Sequence, residues 1–113
     1  MIAMSVIHWE TAKTKQRKGD PEGLVKIYVS REIGAKKLKM HLSVVGPGQK
    51  PHEPHRHDGE EIFFILEGEG RALIEDREYD VKPFTAVFIP PNKLHGIRNT
   101  GDRPLKYLVI IAK

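Results

Sequence analysis

Apolar and polar positions along the chain alternate in short runs of four to nine residues, and no segment carries a sustained apolar stripe at helical spacing. The runs predict strands over 6–11, 24–30, 37–45, 60–66, 71–75, 79–82, 86–90, 95–99 and 105–112. Between them lie "GDPEG", "REIGAK", "GPGQKPHEP", "EGEG", "EDRE", "PPNK" and "TGDRP", all rich in residues that favour turns. Many short strands at this spacing predict an all-β sandwich or barrel, with 13–23 left as a solvated, mobile loop. In the strand from Glu60, alternation places Glu61, Phe63 and Ile65 on one side and Ile62, Phe64 and Leu66 on the other. Both faces are apolar, so one is expected to line the interior and the other to meet a second sheet or a partner subunit, which predicts a homodimer.

A length of 113 residues suits one domain, 1–113, and is too short for two cores. No apolar run approaches the roughly 20 residues that a membrane-crossing helix needs. The start, "MIAMSVIHWE", has no basic n-region and reaches His8 and Glu10 early, so a leader is not expected and a cytoplasmic location is. The absence of cysteine removes disulfides, thiolate metal sites and a cysteine nucleophile together. Any metal would be held by nitrogen and oxygen. The net charge of +4 is uneven, with ten Lys/Arg against four Asp/Glu in residues 1–50 and nine against eleven in the rest. The basic stretch "KTKQRKG" lacks interleaved aromatics and any nucleic-acid motif, so it reads as a solvated loop and nucleic acid is not expected as a partner. Abundant Lys and Glu with few Asn and Gln lean toward a heat-adapted composition.

One stretch asks for more than solubility. "PHEPHRHDGEEIFFILEGEG", 51–70, crowds imidazoles and carboxylates just before an apolar strand. His55 and His57 are two residues apart, so in extended chain both rings point to one side, about 7 Å apart at the backbone. Glu61 enters the next strand on its inward side and could add a carboxylate oxygen. His95, which opens another strand after "IPPNKL", is the best candidate for a fourth donor. Three imidazoles and a carboxylate suit Mn, Fe, Co, Ni, Cu or Zn and leave open positions on an octahedral ion. The competing reading of the same residues is a Pro/His-rich surface loop that binds nothing.

These residues carry a resemblance. "HRHDGEEIFFILEG" resembles the first motif of the cupin superfamily, in which His-x-His, a short gap, Glu, six residues and Gly fall here on His55, His57, Glu61 and Gly68. The glycine ahead of them, Gly48, stands one residue further from His55 than that pattern asks. "FTAVFIPPNKLHGIRN" resembles the second motif, with Pro90, His95 and Asn99 in place, but with Phe84 and Asn92 where glycines are usual. Asn tolerates left-handed backbone, whereas Phe84 puts the local turn in question. The resemblance covers 37–113 and implies a double-stranded β-helix, or jelly-roll barrel, to which strands 6–11 and 24–30 are added.

It also implies one divalent transition ion (Mn, Fe, Ni, Cu or Zn) on His55, His57, Glu61 and His95, in a pocket lined by Phe63, Ile65 and Asn99. The closest look is to small single-domain cupins labelled mannose-6-phosphate isomerase-like. Activities in the superfamily are diverse. The expectation is a metal-dependent enzyme of dioxygenase, decarboxylase or isomerase type on a small organic molecule of limited charge. The alternatives are a non-enzymatic module that binds or senses a small molecule, and a metal-free epimerase that would use a His/acid pair. His52 reads as a solvated loop residue and His41 as facing either side of its strand. Glu60 and Arg98 alternate away from their neighbours in the site. Tyr28, His41, Tyr79 and Tyr107 are the candidates for a further polar group facing a bound ligand.

Overall fold

The computed structural model describes residues 5–113, so the expected domain is seen from Ser5 onward and the first four residues of the N-terminal stretch lie outside it. The described residues form nine strands: β1 (Lys13–Gln16), β2 (Leu24–Val29), β3 (Leu38–Val45), β4 (Glu60–Glu67), β5 (Gly70–Ile74), β6 (Arg77–Val81), β7 (Ala86–Ile89), β8 (His95–Asn99) and β9 (Leu105–Ala112). A single 3-10 turn, Arg31–Ile33, joins β2 to β3, capped by the Ser30 side chain on the Glu32 amide. From residue 24 onward the expected strands are all found, with ends shifted by no more than two residues.

The exception is the N-terminus. The strand expected over 6–11 is absent, because residues 9–11 close a turn in which the Thr11 and Ala12 amides donate to the His8 carbonyl at 3.0 and 2.9 Å. Trp9 instead lies beneath the Lys26 ammonium at 4.6 Å and near that of Lys106 at 5.6 Å, a cation–π anchor in place of a ladder. The loop expected over 13–23 begins with β1, an exposed edge strand paired with β2 from Lys13↔Ile27 to Gln16↔Leu24. Its charged residues hid it, since an edge strand needs no apolar face. Asp20, read as a turn residue, is 6% exposed and takes the Gly46 amide at 2.9 Å, stapling this hairpin to the end of β3.

All pairings are antiparallel, in a six-stranded sheet ordered β1-β2-β3-β9-β4-β7 and a three-stranded sheet ordered β6-β5-β8. The core lies between them, drawn from Phe63, Ile65, Tyr107 and Val109 on one side and Ala72, Val81 and Ile97 on the other. This is the all-β jelly roll expected. The alternation in β4 is as predicted: Glu61, Phe63 and Ile65 are buried, whereas Ile62 is 36% exposed. Register then sets the inward rows. His41 faces Val109, which faces Phe63, and one step along Val25 faces Ser43, which faces Tyr107. Among the described residues no helix is long and apolar enough to cross a membrane.

Candidate metal and ligand site

The histidine loop is held by backbone rather than by ladder. His55 and His95 form an isolated antiparallel bridge, with reciprocal amide-to-carbonyl bonds of 3.0 and 2.9 Å. The Asn92 amide donates to the His57 carbonyl at 2.8 Å, and Arg56 donates to the Asn92 carbonyl at 3.2 Å while pairing with Glu75. Residues far apart in sequence are thereby clamped at one end of the sheets, where β4 delivers Glu61 and β8 delivers His95. One donor atom from each of His55, His57 and His95 lies within 4.8 Å of the others. Glu61, 5% exposed, places Oε1 2.7 Å from His57 Nε2 and 3.1 Å from His95 Nε2.

The tautomers follow from the other ring nitrogen. His57 Nδ1 is 2.8 Å from the Asp58 carbonyl and His95 Nδ1 is 2.9 Å from the Lys93 carbonyl. A carbonyl oxygen only accepts, so each Nδ1 carries a hydrogen and donates, and in the neutral ring this leaves the Nε2 lone pair turned toward Glu61. With both rings neutral, as a metal site requires, two lone pairs and a carboxylate oxygen converge. The short approach of His95 Nε2 to Glu61 is not a hydrogen bond, since that buried nitrogen has no correctly directed partner. A cation placed between these atoms turns the conflict into attraction. An ion with bonds of about 2.1 Å holds its donors at most about 4.2 Å apart, so a small closure of the 4.8 Å triad suffices and the donor set fits. His55 has its pKa lowered to about 4, first by desolvation and then by His52 and the other two imidazoles, so one ring nitrogen offers a free lone pair at neutral pH.

The triad opens on a cavity of about 240 Å³. At about 30 Å³ per water this is room for roughly eight water-sized groups, the scale of a small organic molecule. Of the residues expected to line it, Phe63 does so. Ile65 lies deeper, fully buried in the core, and the Asn99 amide is spent on the Val45 and Arg103 carbonyls at 2.9 and 2.7 Å, tying loops together. Tyr28 and Tyr79 are not in the wall, but His41 and Tyr107 are. His52, expected as a solvated loop residue, is exposed yet stacks on His55 at 4.3 Å and edges the cavity. Glu60 and Arg98 are exposed, as alternation requires.

The inward face is more polar than the sequence suggested. Arg17 and Ser43 join His41 and Tyr107 in the wall. Burial, then the nearby Arg17 charge, lowers the His41 pKa to about 4, so it is neutral at pH 7. Burial raises the Tyr107 phenol to about 12, against the opposing pull of Ser43 and Arg17, so it keeps its proton. Arg17 escaped sequence reading because its "KTKQRKG" setting looks solvated; the usable signal was alternation, which puts Lys13, Lys15 and Arg17 on one face.

A family model described as "Cupin domain" matches residues 41–111. An uncharacterized protein of Methanocaldococcus jannaschii is 32% identical over 96% of this chain and 87% of its own. Auxin-binding protein 4 of Zea mays is 31% identical over 92% of this chain, which spans 56% of that protein. Among solved structures, a predicted oxalate decarboxylase from Thermotoga maritima superposes with a TM-score of 0.80 at 26% identity, covering 95% of this chain and 97% of that one.

Proposed function

The chain belongs to the cupin family, and from that premise we propose that it is a metal-dependent enzyme acting on a small organic molecule. In this reading His55, His57, Glu61 and His95 hold one divalent transition ion at the cavity. The observation that carries it is the meeting of His57 and His95 Nε2 at Glu61 Oε1, with each Nδ1 already spent on a carbonyl and His95 Nε2 buried without a hydrogen-bond partner. A bound ion of this kind supplies Lewis-acid chemistry and, where its oxidation state can change, electron transfer. The protein's own residues do the rest. The Asp58 and Lys93 carbonyls lock two imidazoles in the binding tautomer, and Phe63, Val109 and Ile111 keep the inner wall dry. Tyr107 stands in the same wall as a protonated hydrogen-bond donor. The similarity to a predicted oxalate decarboxylase supports this reading.

Elemental analysis of untagged protein tests it. About one transition ion per chain is expected in the wild type, with affinity reduced more than about a hundredfold in His57→Ala and in His95→Ala, since each removes a direct donor. A chain that takes up no metal, even on reconstitution, overturns it. The similarity to auxin-binding protein 4 favours a second reading, in which the same pocket retains a small molecule without converting it. Recovery of a bound compound unchanged after prolonged incubation with the metal-loaded protein would select that one.

A further inference from the structure

The most unusual group in the cavity wall is Arg17. Alternation along β1 carries it onto the inward face, since Lys15 pairs with Val25, Val25 with Ser43, and Ser43 with Tyr107. It is held there. Its Nη2 donates to Ser43 Oγ at 3.0 Å, its Nε lies 3.5 Å from the Val44 carbonyl, and its own amide closes the hairpin on the Gly23 carbonyl at 3.0 Å. Asp20 fastens the loop that follows to the Gly46 amide. A guanidinium tethered this way is aimed rather than solvated.

It also lacks a counter-ion. Among the described residues Arg56, Arg71 and Arg98 pair with Glu75, Asp80 and Glu78 on the outer surface, and Arg31, Arg77 and Arg103, which have no carboxylate partner, are exposed to solvent. Arg17 has none within 4.0 Å. No other Lys or Arg borders the cavity, and His41 beside it is neutral at pH 7. The other charge in the wall is Glu61, which is committed to His57 and His95.

We propose that Arg17, set by Ser43, is the recognition group for the carboxylate of a small monoanionic ligand whose apolar body lies against Val25, Phe63 and Val109. Planar guanidinium and carboxylate pair through parallel N–H···O bonds, and Arg17 keeps Nη1 and one Nη2 hydrogen for that purpose. One cation matches one negative charge. Arg17 is the one Lys or Arg side chain in the wall, so apart from the ion of the proposed metal site it is the fixed cation a ligand would meet, and inorganic phosphate is the competitor that the test includes. The expectation of a ligand with limited charge is thereby narrowed to a single carboxylate. The assignment deepens the proposed function and rests on it for the identity of the cavity as the ligand site, but Arg17 is not one of the metal donors.

The test is calorimetric titration with benzoate and its uncharged isostere benzamide, on metal-loaded and on metal-free protein, with metal content measured for each variant. Benzoate is expected to bind the wild type more tightly than benzamide does. Arg17→Gln should lose about ten- to a hundredfold in benzoate affinity, leave benzamide affinity and metal content unchanged, and melt as a folded protein. Arg17→Lys, which keeps the charge but not the fork, should recover part of the loss. Equal benzoate affinity in wild type and Arg17→Gln, an equal loss for benzamide, no benzoate binding by the wild type, or tighter binding of inorganic phosphate would each overturn the assignment. The two readings separate cleanly. A wild type that takes up no metal on reconstitution yet still discriminates benzoate from benzamide through Arg17 defeats the metal site alone, whereas a metal-replete protein indifferent to Arg17→Gln defeats the carboxylate site alone.

Discussion

At the scale of single residues, the site is an unsatisfied polar cluster whose cost is tolerated inside an otherwise well-bonded molecule. Glu61 is the pivot. Its Oε1 lies 2.7 and 3.1 Å from two imidazole nitrogens that, in neutral rings, have no hydrogen to give it. Glu61→Gln places an amide hydrogen where the carboxylate had only lone pairs, at unchanged volume. Metal-free Glu61→Gln is therefore expected to be more stable than metal-free wild type by about 1 kcal/mol, the net worth of a hydrogen bond, while its metal affinity falls. Thermal melts with and without metal read both effects; a metal-free variant less stable than wild type would contradict the tautomers assigned to His57 and His95.

At the scale of elements, turns position what the strands carry. Phe84 and Asn92 stand where the motif resemblance asks for glycine, and both adopt the left-handed backbone a glycine would, at φ 69° and 64°. The turn geometry persists with a different residue. Phe84 meets the steric cost with its ring out in solvent, 79% exposed, and its amide bonded to the Ile65 carbonyl at 2.8 Å. Gly68 has no such latitude. Its φ is 84°, and an added Cβ would sit 2.5 Å from the Pro104 carbonyl oxygen, whereas Gly48 at φ 72° has open space around it. Gly48→Ala should cost about 1–2 kcal/mol from backbone strain alone, and Gly68→Ala about 3 kcal/mol or more because overpacking adds to it. Urea denaturation of the two variants ranks them. The outer face of the large sheet poses a different problem. Ile62 lies beside Ile110 and Phe88 in one cross-strand row and Phe64 beside Leu108 in the next, with Phe88 53% exposed. A contiguous apolar face of this kind favours association. Sedimentation is expected to show a dimer of the 12.9 kDa chain, converted to monomer by Phe88→Lys; a wild-type monomer would end this expectation.

At the scale of the whole molecule, stability and site are separable. The apolar core between the sheets is built from aliphatic and aromatic residues of seven strands, and of the four site residues only His95 and Glu61 are buried with it. Removal of metal should therefore leave a cooperatively folded chain. The loss is the binding linkage alone, about 3 kcal/mol for an ion present at a hundred times its dissociation constant. Circular dichroism after chelation checks this, and unfolding at room temperature on adding the chelator would contradict it.

Periodicity alone determined the strands from residue 24 onward and the buried face of β4, because side-chain direction in a strand is a local, two-residue property. The same holds for the donor types: His55, His57, Glu61 and His95 were legible from residue chemistry and motif spacing. The rest was decided in three dimensions. That His57 and His95 both turn lone pairs onto Glu61 depends on which backbone carbonyls stand behind their rings, and that Asn99 braces loops while Ile65 sinks into the core depends on how far each lies from the open end. Nothing local distinguishes Arg17 from the lysines around it. Its place in the cavity follows from a register between β1, β2 and β3, from its bond to Ser43 and from the staple of Asp20, the last two each joining residues 26 positions apart, which a linear pattern does not encode.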